Sequence, residues 1–367
     1  VSSLSGRLRV LVAGPAPAGT VSRGGMATVA ALMAAHPDED IAITVVPTYV
    51  DGPVLQRLVV GVGGMLRASW LVLRGRADVL HVHLAHGGSV IRKALPLWTA
   101  RLAGVPAVIH AHSYDFGGWF DRQPAPVRAA VRRMLVADSW MVLGTGHVDE
   151  YASRLAVDRE RITVLHNAVR LPDAPVAQAG VERLHAVALG RLGARKGSYD
   201  VIAAVDALAE PVRSRLRVTL AGDGDVAEVR AAVAVAGLND TITVAGWLDS
   251  KARDQLLSSA NIFVLPSYDE GLPMALLEAM AYGLVPVTTT VGSIGEAISD
   301  GVNGLVVRPG HPDEIAGALT ALVDDERLRV RLAGAARSRA GDFALERWYQ
   351  RLTRLWTDLA GDRRAIR

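Results

Sequence analysis

At 367 residues the chain is too long for one ordinary hydrophobic core and suits two. Half of the residues are hydrophobic and 21% are charged, which excludes a disordered chain, and the absence of cysteine excludes disulfides, thiolate metal sites and a cysteine nucleophile. The formal charge of +3 is a mild excess compatible with phosphate-bearing substrates or an anionic membrane surface, and the interleaving of basic with acidic residues argues against a nucleic-acid partner. Arg57, Arg67 and Arg74 divide the most hydrophobic stretch, so no membrane span is expected. The first apolar run, Leu8 to Ala13, is short and ends in a Gly/Pro loop; it reads as a strand rather than a signal peptide, with cytoplasmic residence as the default expectation.

In chain order, short β-branched runs alternate with helical patterns. Residues 9–13, 41–47, 79–84, 107–110 and 141–143 form one series of candidate strands; 186–189, 217–220, 241–244, 262–265, 285–289 and 305–307 form a second. A Pro-containing stretch at 171–180 reads as the linker between two doubly wound α/β domains. In such sheets ligands sit beyond the carboxyl ends of the strands, so the loops that follow the strands are the places to look for chemistry.

The segment from Phe263 to Ala281 reads as a buried strand, a polar loop and a helix opened by Pro273. Such a helix start offers N–H groups and a favourable dipole to a phosphate. Glu270 falls in the loop and Glu278 early in the helix, where one carboxylate can meet a sugar and the other a ribose. Taken singly, Glu278 is a first-turn acid favoured by the dipole and Glu270 a solvated loop residue. The loop Gly190-Arg191-Leu192-Gly193-Ala194-Arg195-Lys196-Gly197, directly after the first strand of the second series, weakens that reading: Arg191 and Lys196 can neutralise a diphosphate and glycine permits close backbone approach.

With these motifs the sequence resembles glycosyltransferase family 4. The resemblance covers nearly the whole chain: the spacing of Glu270 and Glu278, the 190–197 loop, Ala221-Gly222-Asp223-Gly224, Gly24-Gly25, His166-Asn167-Ala168-Val169, Val291 to Glu296 and Asp300 to Leu305. Ala168, Arg170 and Gly295 stand where glycine, an acid and proline are frequent in the family. The resemblance implies the GT-B fold, two facing Rossmann-like domains with a C-terminal helix crossing back to the first. Residues 1–172 would be the acceptor-side domain, 173–342 the nucleotide-sugar-binding domain and 343–367 the crossing helix and tail. Arg191 and Lys196 would contact the donor diphosphate, Glu278 the ribose and Glu270 the transferred sugar. Gly271, Leu272, Pro273 and Met274 would complete the cradle through backbone amides, and Gly25 would approach the diphosphate from the first domain. A histidine at the position of His112 lies beside the transferred sugar in that family, which makes His112, with Glu270, a catalytic candidate.

His81, His83 and His110 share strand ends with His112, and a structural role is the first expectation for them. A metal site is not expected, because no acidic or thiolate partner stands at ligand spacing; Asp38-Glu39-Asp40 and Asp223-Gly224-Asp225 match an Asp-x-Asp pattern in form only, and no cofactor is required. The resemblance further implies retention of anomeric configuration, with UDP-sugars first and GDP-mannose second as donors, and a glycan or polyprenyl-linked acceptor in envelope or exopolysaccharide synthesis. A basic amphipathic helix around 126–136 and the Trp70-containing stretch at 54–76 raise a peripheral site on the inner face of an anionic plasma membrane, although an amphipathic helix ordinarily packs its apolar side on its own domain. Two other classes stay open. One is a non-catalytic nucleotide-sugar sensor or partner subunit; the other is a nicotinamide oxidoreductase, disfavoured because the first glycine loop lacks the Gly-x-Gly-x-x-Gly spacing. The periodicity of Trp348, Leu352, Leu355, Trp356 and Leu359 predicts a core-facing helix.

Overall fold

The computed structural model describes residues 7–19 and 22–365. The chain divides into two compact units: the first takes in the chain up to Asn167 together with the segment from Glu346 onward, and the second runs from Ala168 to Leu345.

In the first unit, β1 (Leu8–Pro15), β2 (Ile41–Tyr49), β3 (Val79–Leu84), β4 (Ala107–Ala111), β5 (Ser139–Val142) and β6 (Ile162–Val164) form one parallel sheet in the order β2-β1-β3-β4-β5-β6. The second unit repeats the plan with β7 (Leu184–Leu189), β8 (Leu216–Ala221), β9 (Ile242–Gly246), β10 (Ile262–Leu265), β11 (Val285–Thr288) and β12 (Leu305–Val306), ordered β12-β11-β10-β7-β8-β9. β6 escaped the sequence reading because it is only three residues long and its middle residue, Thr163, is exposed. All the pairings are parallel and helices cover the sheets, which is why strands such as β3 and β10 are buried at every residue instead of alternating.

Parallel order reverses between β1 and β3 in the first unit and between β7 and β10 in the second. These are the topological switch points, where the flanking loops diverge and leave a ligand-sized crevice beyond the strand ends.

The observed division falls at 167/168 and 345/346, against the expected 172/173 and 342/343. The cause is backbone pairing: Val169 N–H donates to Phe343 O (2.9 Å) and Leu345 N–H to Val169 O (3.0 Å), so both connecting segments are stitched together within the second unit. The helix Leu345–Ala365 then packs on the first unit. It buries Trp348, Tyr349, Leu352 and Trp356, whereas Leu355 and Leu359 are only half-buried. Tyr349 Oη donates to Leu32 O (2.8 Å) and Trp356 Nε1 to His81 Nδ1 (3.1 Å), so the helix is held by directional bonds as well as by apolar burial, the latter about 2–3 kcal/mol for each large side chain.

Candidate functional site

The loops after β7 and β10 meet at the switch point of the second unit. After β7 the chain makes a glycine turn in which Gly190, Gly193 and Gly197 all have positive φ. Gly193 N–H donates to Ser198 Oγ (3.0 Å), which fixes the turn that presents Lys196. Lys196 Nζ forms an ion pair with Glu270 Oε1, and the same oxygen accepts from Ser267 Oγ at 2.9 Å. Arg195 ties the loops a second time: its guanidinium donates to Asp269 O (2.9 Å) and its carbonyl accepts from Tyr268 N–H (2.9 Å).

The structure thus brings Lys196 and Glu270 into direct contact, where the sequence assigned them to separate parts of a ligand. Both side chains are largely out of water, and burial lowers the Lys196 pKa against the opposing pull of Glu270. Arg191 is mostly exposed and stands 3.7 Å from Asp223, so its charge is available at the rim of the loop.

The helix after β10 begins at Met274, with Pro273 in extended conformation as its N-cap and no side-chain cap; Pro273 precedes the helix instead of opening its first turn. Glu278 is consequently the fifth helical residue and lies beyond the first turn, which removes the dipole reading. Its carboxylate is paired with Arg253 Nη1 at 3.4 Å, yet burial outweighs that cation and raises its pKa to about 7. Neither Arg253 nor Ser267 was singled out from the sequence; both act on a glutamate from outside the motif that contains it, or from within its loop, and carry no spacing signal.

A third loop braces the other two. Thr289 Oγ1 donates to Ser267 O (2.8 Å) and Ser293 N–H to Gly271 O (2.8 Å). Between them Gly292 sits at φ 61°, and a Cβ there would lie 2.0 Å from Glu270 O. Gly292→Ala is therefore expected to displace the Glu270 loop and to weaken nucleotide binding at least tenfold, with a loss of about 1–3 kcal/mol in stability from strain; calorimetric titration and thermal melts check it. Unchanged affinity would show that the loop is not part of a nucleotide site.

In the first unit, Gly25 opens the helix Gly25–Ala34, and its neighbour Gly24 carries the positive φ of 87°. His112, just past β4, is partly exposed and shares a 2.8 Å hydrogen bond between its Nε2 and His83 Nδ1. His81, His83 and His110 are fully buried, and their ligating nitrogens lie within 4.8 Å of one another. Burial pushes His81 and His112 down to about 3 and His83 and His110 well below the usual imidazole range, so all four are neutral at pH 7. Lys93, also buried, donates to Thr48 Oγ1 nearby and has its pKa pushed well down by burial.

The helix Ala125–Met134 faces Val131 inward, and Arg132 donates to Arg154 O (2.7 Å) and lies over the Phe120 ring. It is an ordinary covering helix. The exposed apolar surface of the first unit is instead on the helices Val54–Leu73 and Gly88–Leu102: Leu55, Leu58, Leu66, Trp70, Ile91 and Leu102 are more than half exposed, with Arg57, Arg67, Arg74 and Arg101 among them and no acid in either helix. Among the described residues no helix is long and apolar enough to cross a membrane.

Comparison with known proteins places this geometry. Residues 19–171 match the model for glycosyltransferase family 4 and residues 176–339 that for glycosyl transferases group 1. The chain is 28% identical to the alpha-D-kanosaminyltransferase of Streptomyces kanamyceticus over 303 residues, 74% of this chain and 77% of that protein. It is 30% identical to the alpha-maltose-1-phosphate synthase of Mycolicibacterium smegmatis over 283 residues, 68% of this chain and 70% of that protein. The fold is shared with Anabaena HepE solved in complex with UDP-glucose, at a TM-score of 0.74 and 16% identity over 96% of this chain and all of that one. With both halves matched by family models and a relative spanned over most of its length, the chain belongs to glycosyltransferase family 4, the group 1 glycosyltransferases of GT-B fold, and is a glycosyltransferase.

Proposed function

We propose that this enzyme is a retaining, metal-independent hexosyltransferase that moves a sugar from a nucleotide-diphosphate donor, UDP-sugar first and GDP-mannose second, to a glycan or polyprenyl-linked acceptor in cell-envelope or exopolysaccharide assembly. The observation that carries the reading is the buried Lys196–Glu270 pair at the switch point, beside a helix start without a side-chain cap. An ammonium, an exposed guanidinium and helix N–H groups converge where a diphosphate would gain charge as it departs. In this reading Arg191, Lys196 and the amides of Gly271, Leu272, Pro273-Met274 hold the diphosphate, Pro273 contributing shape because it has no N–H. Glu278 accepts from the ribose and Glu270 from the sugar; from the first unit, His112 bonds the sugar and Gly25 offers its backbone. UDP as first choice is supported by the UDP-glucose complex of the structural relative.

Metal independence is supported by the chemistry of the residues. The grouped imidazoles lack a carboxylate, Lys93 places a cation-forming group against them, and Trp356 donates to His81 Nδ1, which keeps the proton on Nε2. The test is nucleotide release from UDP- and GDP-sugars with lipid-linked acceptor extracts, with and without chelator. Release from one donor that chelator spares supports the proposal; tight nucleotide binding without release from any donor favours a sensor or partner subunit.

Glu278 gives the reading a pH signature. Its folded pKa of about 7 exceeds the ordinary 4.5, so the carboxylate costs stability progressively as pH rises from 4.5 through 7. Glu278→Gln is expected to stabilise the nucleotide-free enzyme at pH 8 by up to about 3 kcal/mol, to leave it unchanged at pH 4.5, and to weaken nucleotide binding at pH 8. Equal melting temperatures at both pH values would refute the buried-charge argument.

The acid-free, arginine-flanked apolar face of helices Val54–Leu73 and Gly88–Leu102 supports delivery of the acceptor from an anionic membrane surface. Sedimentation with phosphatidylglycerol vesicles is expected, at least tenfold stronger than with phosphatidylcholine, and Leu55→Glu with Leu58→Glu is expected to abolish it; equal binding to both vesicle types would remove the membrane from the proposal.

A further inference from the structure

The four imidazoles next to β3 and β4 are connected to the C-terminal helix by a chain of contacts whose polarity is set at one end. Trp356 is fully buried and its indole Nε1–H can only donate; it donates to His81 Nδ1 at 3.1 Å. A neutral His81 that accepts at Nδ1 carries its proton on Nε2. His81 Nε2, His83 Nε2 and both nitrogens of His110 are buried without a hydrogen-bond partner, within a group whose nitrogens lie inside 4.8 Å of one another. In this low-dielectric environment the Nε2–H of His81 favours a lone pair, and not a second N–H, on the His83 nitrogen that shares the group. A route through His110 has the same direction, since His110 would accept from His81 and donate to His83. His83 then holds its proton on Nδ1 and donates it to His112 Nε2 across 2.8 Å. With Nε2 accepting, His112 carries its own proton on Nδ1.

We propose that Trp356 is a positioning residue for His112: through His81 and His83 it holds His112 in the Nδ1–H form, so that His112 presents a hydrogen-bond donor to a ligand oxygen. Three features of the fold serve this arrangement. The ring of His83 occupies space that only glycine leaves at position 14, where a Cβ would lie 2.7 Å from His83 Cδ2. The imidazoles stack edge to edge, with ring centroids 4.0 Å apart for His110 and His112 and 5.5 Å for His83 and His110, which restricts ring flips. Burial keeps every member neutral near pH 7, so none can donate from both nitrogens and break the polarity. A neutral imidazole in water prefers the Nε2–H form, so the chain imposes the less favoured tautomer on the one histidine that reaches the surface. Such an imposition is informative because nothing local to His112 would produce it.

That the donor N–H meets the transferred sugar rests on the reading proposed above; the tautomer itself does not. The test is long-range 1H–15N correlation of the full chain labelled with 15N-histidine at pH 7.5, with the His112 signals assigned by their loss in His112→Gln. His112 is expected to show a protonated Nδ1 and an unprotonated Nε2. Trp356→Phe, which keeps an aromatic ring and removes the N–H, is expected to move His112 to a mixture dominated by Nε2–H, and to lower kcat about tenfold with KM within twofold. His81→Phe cuts the chain one link farther in and is expected to do the same, providing a second variant should the first fail to fold. An Nε2–H tautomer on His112 in the unaltered protein, or an unchanged tautomer in a folded variant of either kind, overturns the proposal. If the tautomers behave as expected while His112→Gln retains full turnover, the chain stands and the role of His112 at the sugar falls.

Discussion

Glu270→Ala is expected to lower kcat by roughly 10²–10³ while nucleotide Kd stays within a fewfold, because the lost contact is to the moving sugar and not to the nucleotide. Lys196→Ala is expected to reduce both, since its ammonium faces the leaving diphosphate as well as Glu270. The two changes should be far from additive. Each removes the partner of a group already taken out of water: without Lys196 the Glu270 carboxylate keeps only Ser267 Oγ, and without Glu270 the Lys196 ammonium loses the contact that opposes its desolvation. Part of each single loss is therefore about 3–5 kcal/mol of destabilisation from a stranded buried charge. Thermal melts without nucleotide separate that part from catalysis, and Lys196→Ala combined with Glu270→Ala should melt above either single variant. Turnover by Glu270→Ala at the unaltered rate would remove Glu270 from the chemistry whatever the melts show.

The pairing also explains which parts of the site were legible in the sequence. The two glutamates, the basic glycine loop and the helix start are each local signals, and each was found at its place after a strand: β7 for Lys196 and β10 for Glu270. The fold was legible for the same reason, since buried parallel strands announce themselves as short apolar runs between helical patterns. What was not legible depends on sheet order. Only the reversal between β7 and β10 makes two loops separated by 74 residues into neighbours, and only that adjacency turns two ligand contacts into one ion pair. Arg253 on Glu278, the Thr289–Ser293 brace and the reach of Trp356 to His81 are of the same kind, long-range contacts with no periodicity of their own. The amphipathic helices show the converse limit. Sequence pattern gives the arginines and the apolar faces of 54–73 and 125–134 alike, but whether a face is covered is decided by the neighbouring elements, and only the first is left bare.

As pH is lowered, the first unit is expected to unfold before the second, with a midpoint near pH 5. His81 and His112 have folded pKa values of about 3, and His83 and His110 lie well below the ordinary 6.5; all four are lowered chiefly by burial. Folded values below the unfolded one mean that the unfolded chain binds more protons, so the stability these groups allow is intact above pH 6.5 and is lost as pH falls toward 3. Each contributes about 1.4 kcal/mol per pH unit, so four together remove ~5 kcal/mol per unit, against a total of ~5–15 kcal/mol for a typical domain. The neighbouring charged groups reinforce the effect: Lys93 stands close to His83, Arg92 adjoins Lys93, and no carboxylate acts on the cluster to offset the gathering charge. In the second unit only His185 is comparably lowered, to about 4. The composition supplies the readout, because six of the seven tryptophans belong to the first unit and only Trp247 to the second. Tryptophan fluorescence should therefore change near pH 5 while far-UV circular dichroism retains roughly half its signal. His110→Phe, which removes two buried nitrogens that have no partner, should shift the fluorescence midpoint to lower pH without moving the second transition. A single transition seen alike by both probes, or a midpoint indifferent to His110→Phe, would mean that the buried imidazoles do not govern the acid stability of the first unit.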